Sequence, residues 1–252
     1  LCKYQIAWLM GLQNIQNQSF ESGHKEKFFM SLFKHFCMID LHTHSIFSDG
    51  ELIPSEMARR MAEIGNEGFA ITDHADFTNI SQIMNNLNKL KELRDDYELR
   101  ILLGVEITHV PPKLIGRAVE MSLKEGAEII VVHGETIAEP VRKGTNFAAL
   151  SEEIDILAHP GLIDEKSLQL AAENDVFLEI TSRKGHCLTN GYVASKASEF
   201  GCKLVLNTDS HAPSDFIDTE KAKLVAMGSG IRDVDELFRN SDKLLKKKLR
   251  KI

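Results

Sequence analysis

Six of the ten histidines in this chain fall in short, separate blocks, most of them shared with acidic residues. The first block reads Asp40-Leu41-His42-Thr43-His44, followed by Ser48-Asp49-Gly50. Further blocks are Asp73-His74-Ala75-Asp76, Gly104-Val105-Glu106, His133-Gly134-Glu135, His159-Pro160-Gly161, Leu178-Glu179-Ile180 and Asp209-Ser210-His211. On an extended strand, residues two apart point to the same face, so His42 and His44 form a pair, as do Asp209 and His211. One H-x-H has little specificity. Two such pairs, joined by Asp49, His74, Glu106, His133 and His159, describe a metal site. The competing reading is a set of buried, hydrogen-bonded histidines. It fails on cost, because burying so many titratable groups without a cation takes several kcal/mol of desolvation and repulsion. Imidazole and carboxylate without thiolate suit Zn²⁺, Mn²⁺ or Fe. Three carboxylates and six imidazoles are too many for one ion and fit two or three.

Each block follows a short, nearly continuous apolar run. The runs are Met38–Leu41, Gly68–Thr72, Arg100–Val105, Glu128–Val132, Ile154–Ala158, Val176–Ile180 and Lys203–Asn207. Continuous hydrophobicity over so few residues indicates a strand buried on both faces, as in a parallel sheet. Helical patterns lie between them: Pro54–Gly65, Ile80–Tyr97, Lys113–Glu125, Asn146–Glu153, Glu165–Glu173, Gly191–Phe200 and Ser214–Met227. A last helix is expected through Val234–Phe238, with Lys243–Lys251 as a solvated basic tail. Alternating strands and helices imply parallel pairing through crossovers. Periodicity alone leaves a barrel and a doubly wound sheet both open. In either fold the active site lies at the carboxyl ends of the strands, where every block falls.

The bulk properties set limits. One α/β domain can absorb the 252 residues, 43% of them hydrophobic. A net charge of −7 argues against duplex nucleic acid, whose binding rests on Lys and Arg. A small phosphorylated substrate stays compatible, since bound metals supply local positive charge. The four cysteines form no C-x-x-C pair and read as reduced thiols of a cytoplasmic protein. No run reaches the ~18 apolar residues of a membrane span, and no partner membrane is expected. The short apolar stretches Ile6–Leu12 and Phe28–Cys37 lack a cleavage signal. Residues 1–37 are read as an N-terminal extension that is either appended or a helix packed on the domain, and residues 38–252 as the domain proper.

The blocks IDLHTHSIFSDG, ITDHAD, GVEI, VHGE, AHPG, LEI and NTDSHA, in this order, resemble the polymerase and histidinol phosphatase (PHP) family, over about Met38 to Met227. Within it the chain is similar to histidinol-phosphatase-like members. The resemblance implies an α/β fold, a distorted (β/α)₇ barrel of parallel strands with a metal site at their C-terminal ends. It further implies that His42, His44, Glu106 and Asp209 hold one ion, and that Glu106 bridges to a second held by His133 and His159. Asp49, His74 and His211 would hold a third; some members carry His at the Asp49 position. Catalytic roles then fall on Glu106, Asp209 and His211.

The expected reaction is hydrolysis of a small phosphomonoester, with histidinol phosphate as a candidate, through a metal-bridging hydroxide. Arg183, Lys184 and His186, after strand six, are candidates to grip the phosphate, because Arg offers a planar fork to its oxygens. Arg142 and Lys143 are weaker candidates, and His109 reads as a loop residue. Asp73 and Glu135 stand beside ligand candidates and are expected to orient imidazoles. Two other readings compete. A phosphodiesterase or exonuclease would want a basic, aromatic-lined channel, which one Trp, three Tyr and an acidic balance do not favour. A non-catalytic metal-binding accessory module is the third.

Overall fold

The computed structural model describes residues 37–250 except 93 and 98. The reading of residues 1–37 as an extension therefore lies outside the described residues, Cys37 apart. Seven strands form one sheet in sequential order, every neighbouring pair parallel. They are β1 (Ile39–Asp40), β2 (Gly68–Ala75), β3 (Arg100–Ile107), β4 (Ile129–His133), β5 (Ile156–Ala158), β6 (Phe177–Thr181) and β7 (Leu204–Asn207). The helices between them are α1 (Pro54–Glu63), α2 (Ile80–Leu87), α3 (Ile115–Lys124), α4 (Thr145–Leu150), α5 (Glu165–Glu173), α6 (Asn190–Phe200), α7 (Thr219–Gly228) and α8 (Val234–Leu249).

The sheet curls until β1 meets β7, which makes the distorted (β/α)₇ barrel the motifs implied. The two strands themselves do not pair. The seam is stitched partly by side chains: Asn207 Oδ1 accepts from the Leu41 amide at 2.8 Å, and Asp40 accepts from the amide and hydroxyl of Thr208. Above the strand ends, backbone bonds take over, with Asp209 N donating to His42 O and His44 N to Ser210 O, both at 2.9 Å. This seam holds the first and last histidine blocks side by side.

Side-chain alternation explains how one strand serves both core and site. The inward positions of β3 are Leu102, Gly104 and Glu106; those of β4 are Ile129, Val131 and His133. The lower member of each series joins a core of Ile39, Leu41, Ala70, Leu102, Ile129 and their neighbours. The upper member reaches the open end. The same period carries Phe177 to Glu179 on β6, and Val205 through Asn207 to Asp209 beyond β7.

Three expected elements are corrected. The helix expected over Ile80–Tyr97 stops at Leu87 and continues as two short 3₁₀ turns, Asn88–Leu90 and Arg94–Tyr97. The Asn88 side chain there donates to the Glu125 carbonyl, a role that competes with helix continuation. The helix expected from Ser214 begins at Thr219, because the Asp218 carboxylate caps it by accepting from Lys221 N. The basic tail is not a solvated coil: α8 runs unbroken from Val234 to Leu249. Leu237, Phe238, Ser241, Leu244 and Leu245 form a buried stripe at helical spacing, and the two leucines plug the lower end of the barrel. The lysines occupy the outer face, with Lys248 paired to Asp155. Among the described residues, no helix is long and apolar enough to cross a membrane.

Candidate metal centre

The turn after β1 delivers the first residues. His42 and His44 are fully buried, with their Nε2 atoms 3.1 Å apart. Gly50 is required in this turn, because a Cβ there would lie 2.3 Å from the His44 carbonyl oxygen. That close approach brings Asp49 back over the site. Glu106 rises from β3 and is completely buried. Its Oε1 lies 3.4 Å from His42 Nε2 and 3.5 Å from His159 Nε2. Asp209 faces it across the barrel, Oδ1 at 3.2 Å from His44 Nε2 and Oδ2 at 3.6 Å from His159 Nε2. His159 and Asp209 take positive φ, 27° and 53°, an uncommon conformation for residues with a side chain. In His159 this departure from strand geometry lets its side chain join the cluster although Ala158, one residue earlier, already faces the core.

All nine residues expected from the motifs come together in overlapping groups. These are His42, His44 and Glu106; His42, His159 and Asp209; Glu106, His133 and His159; and His44, Asp49, His74 and His211. Within each group the potential ligand atoms lie within 4.8 Å of one another. The donor set fits divalent cations on a direct observation. Glu106 Oε1 and Asp209 Oδ1 are buried and accept no hydrogen bond, which is costly for a carboxylate unless a cation satisfies it.

The ring tautomers point the same way. His133 Nδ1 contacts the Gly134 carbonyl at 3.1 Å, and His211 Nδ1 contacts the Asp209 carbonyl at 2.9 Å. A carbonyl only accepts, so Nδ1 carries the proton, and Nε2 of the neutral ring offers a lone pair to the cluster. The carboxylates also draw positive charge. Burial opposes protonation of His42, but Glu179, Glu106 and Asp209 raise its pKa well above the ordinary value. The same contest lifts His74 to about 9, with Glu106 its main partner. His44 is pushed down to about 3 by burial. Burial favours the neutral acid of Glu106, yet His42 and His74 hold it well below the carboxylate range, and Asp209 is depressed likewise by His42.

The remaining expectations divide. Arg183 is half-buried at the edge of the site, its Nε 4.0 Å from Asp209 Oδ2 and its Nη1 3.2 Å from Asp215 Oδ2. His186 is buried, its ring 4.2 Å from that of His159. Lys184 is exposed, and its side chain makes no ion pair or hydrogen bond with the described residues. Arg142 and Lys143 are exposed on the loop after β4.

Asp73 and Glu135 do not orient imidazoles. Asp73 accepts from Ser45 N, Ser45 Oγ and Ser48 Oγ, each at 2.7 Å, and so fixes the turn that carries His44 and Asp49. Glu135 accepts from Gly144 N and Asn146 N and closes its own loop. The orienting carboxylate is Glu179. Its Oε1 is 2.8 Å from His42 Nδ1, and its Oε2 accepts from His159 N at 3.1 Å. A lone acid at an inward position of an apolar strand was the signal for it. His109 also reaches the mouth, 4.8 Å ring to ring from His133. Glu139, in the polar loop after β4, gave no sequence signal, yet it lies 3.4 Å from His133 Nε2.

Comparison with known proteins fits this geometry. The family model described as "PHP domain" matches residues 40–175. An uncharacterized protein of Methanocaldococcus jannaschii is 51% identical over 76% of this chain and 89% of its own length. A probable phosphatase of Thermoanaerobacter is 30% identical over 85% of this chain and 97% of its own. Among solved structures, a chain of archaeal ribonuclease P with mature tRNA superposes with a TM-score of 0.65, covering 84% of this chain and 91% of that one. The histidinol phosphate phosphatase of Lactococcus lactis, complexed with zinc, L-histidinol and phosphate, superposes with a TM-score of 0.56, covering 77% and 94%. At 18% identity each, these two speak for the fold alone.

Proposed function

Since the chain belongs to the PHP domain family, we propose that it is a metal-dependent phosphoesterase that hydrolyses a small phosphomonoester, histidinol phosphate being the first substrate to try. The observation that carries this reading is the pair of buried carboxylate oxygens, Glu106 Oε1 and Asp209 Oδ1, with no hydrogen-bond donor and imidazole Nε2 atoms 3.2–3.5 Å away. Residues 38–252 are taken as the working domain.

The nine residues His42, His44, Asp49, His74, Glu106, His133, His159, Asp209 and His211 would hold two or three ions of Zn, Mn or Fe. When bound, such ions ionise water near neutral pH and neutralise charge on a phosphoryl group. The chain's own residues do the rest. Glu106 lies between two imidazole groups and is suited to join neighbouring ions. Glu179 fixes the orientation of His42 so that its Nε2 faces the cluster. His211, anchored through Nδ1 and less buried than the inner histidines, presents its Nε2 to Asp49 at 3.3 Å on the open side of the cluster. Arg183 is suited to receive phosphate oxygens at the edge of the site. The resemblance to the probable phosphatase of Thermoanaerobacter supports a phosphatase-type reaction.

A panel of phosphomonoesters, including histidinol phosphate, assayed against cyclic and dinucleotide diesters tests the reading. Monoester turnover that vanishes with chelator and returns with Zn²⁺ or Mn²⁺ is expected. Turnover of diesters alone would turn the assignment to a nuclease-type activity, and no turnover with any metal would reduce the protein to a metal-holding module.

A further inference from the structure

Glu139 sits among three histidines from separate parts of the chain: His109 after β3, His133 at the end of β4 and His186 after β6. Its Oε2 is 3.4 Å from His133 Nε2 and 3.5 Å from His109 Nε2, and its Oε1 is 3.5 Å from His186 Nε2. These separations exceed a good N–H···O bond of 2.7–3.2 Å. They match the spacing of two ligands on one four-coordinate ion, which bonds of about 2.0–2.1 Å place roughly 3.3 Å apart. The tautomer sharpens the point. With the His133 Nδ1 proton directed at the Gly134 carbonyl, Nε2 of the neutral ring is an acceptor, and it faces a carboxylate, also an acceptor. Two acceptors so aligned are suited to hold a cation between them.

The backbone gives a second, independent sign. Among the described residues, four non-glycine positions have positive φ: His109, His159, Asp175 and Asp209. Three of these carry side chains into the metal centre or its mouth. Such a conformation costs about 1–3 kcal/mol and clusters at functional sites. At His109, φ is 54°. The loop bearing Glu139 is also pinned at its ends. Glu135 Oε1 accepts from Gly144 N and Asn146 N, while Asn146 donates to the Pro160 carbonyl at 2.8 Å. Glu139 is thereby held in reach of His133 although its side chain is 42% exposed.

We propose that His109 and Glu139 extend the metal centre beyond the nine residues, forming with His133 an outer position for a divalent cation at the mouth of the barrel. His133 then serves two ligand sets: an inner one with Glu106 and His159, and an outer one with Glu139 and His109. Its single free nitrogen holds an ion in one of them at a time, so the last ion to bind is shared between the two sets and arrives at the exposed outer one. This inference rests on the reading of the cluster as a metal centre.

The test is calorimetric titration of the chelator-stripped full chain with Zn²⁺, in the wild type, His109→Ala and Glu139→Gln. Both variants should weaken the weakest Zn²⁺-binding step by about tenfold or more and leave the tighter steps as they are. Stopped-flow uptake of Zn²⁺ should slow by a similar factor. Both side chains are partly exposed, so an unchanged circular dichroism spectrum should accompany the change. Wild-type affinities, ion counts and uptake rates in both variants would overturn the outer position while leaving the inner centre intact. Unaltered Zn²⁺ binding with a raised KM in Glu139→Gln would likewise overturn it and assign Glu139 to a cationic group on the substrate. A wild-type chain that takes up no Zn²⁺ would sink the functional reading as well.

Discussion

At the lower end of the barrel, Leu244 and Leu245 of α8 close an apolar core, and the charges around them are paired in partial contact with water. Arg100 meets Asp242 at 2.6 Å, Lys248 meets Asp155 at 2.6 Å, and Arg94 meets Glu128 at 2.9 Å. The upper end reverses each of these choices. Glu106, Asp209, His42 and His159 are buried, carboxylate oxygens of the first two lack hydrogen bonds, and His159 and Asp209 are strained at φ. The other buried atoms without hydrogen bonds away from this end, on Asn66, Asn88 and Ser241, belong to neutral side chains. One end is arranged to hold the chain together. The other spends that stability on a set of groups that repel one another until cations join them.

Substitutions at the two ends should therefore separate activity from stability. The largest effect is expected from Asp209→Asn or His44→Ala, which should cut phosphomonoester turnover by about a thousandfold or more. Asp209→Asn should also lose the rise in melting temperature that added Zn²⁺ gives the wild type, since it removes a ligand candidate from the cluster. A variant that keeps the full metal-dependent rise would break the contrast between the ends. Leu245→Ala should do the opposite. It should cost about 2–5 kcal/mol in denaturant unfolding while turnover per folded molecule and metal content hold. Glu179→Gln should weaken metal affinity by about 10- to 100-fold without unfolding the chain, because it loosens the grip on His42 Nδ1. Arg183→Ala should raise KM by about tenfold and leave bound metal unchanged, which equilibrium dialysis checks.

The smallest effect is expected from pH at the lower end. Burial would raise the Asp242 carboxyl, but Arg100 and Lys246 hold it below its ordinary 3.8. A depressed folded-state pKa contributes stability above the unfolded value and loses it as pH falls through the folded one. Wild type should exceed Asp242→Asn by at most about 1 kcal/mol at pH 6–7, and the gap should close as pH drops below about 4. A gap that persists at pH 3 would assign the effect to packing rather than to the ion pair.

Much of the site was legible because strand-end chemistry is local. A histidine or carboxylate directly after a buried apolar run identifies itself, and His42, His44, Glu106, His133, His159 and Asp209 all do so. Glu179 was half legible, as an inward-parity acid on an apolar strand, while its partner His42 lies 137 residues away. Asp73 and Glu135 misled for the reverse reason. Adjacency to a histidine in sequence places a side chain on the opposite face of the strand or in the loop beyond, where these two fold turns rather than rings. The basic tail misled because six of its nine residues are lysine or arginine, while only the barrel supplies the surface that buries Leu244 and Leu245.

By itself, the order of apolar runs and polar blocks determined the parallel sheet, the end of it that bears the chemistry, and the metal-capable character of the ligands. These follow from period and residue type, which act over a few positions. Only the tertiary structure decided that Glu179 holds the His42 ring with one oxygen and the His159 amide with the other, that β1 and β7 meet through Asn207 and Asp40, and that Glu139 and His109 stand beside His133. Those are distances between segments joined by helices and loops, and closure of the barrel alone sets them.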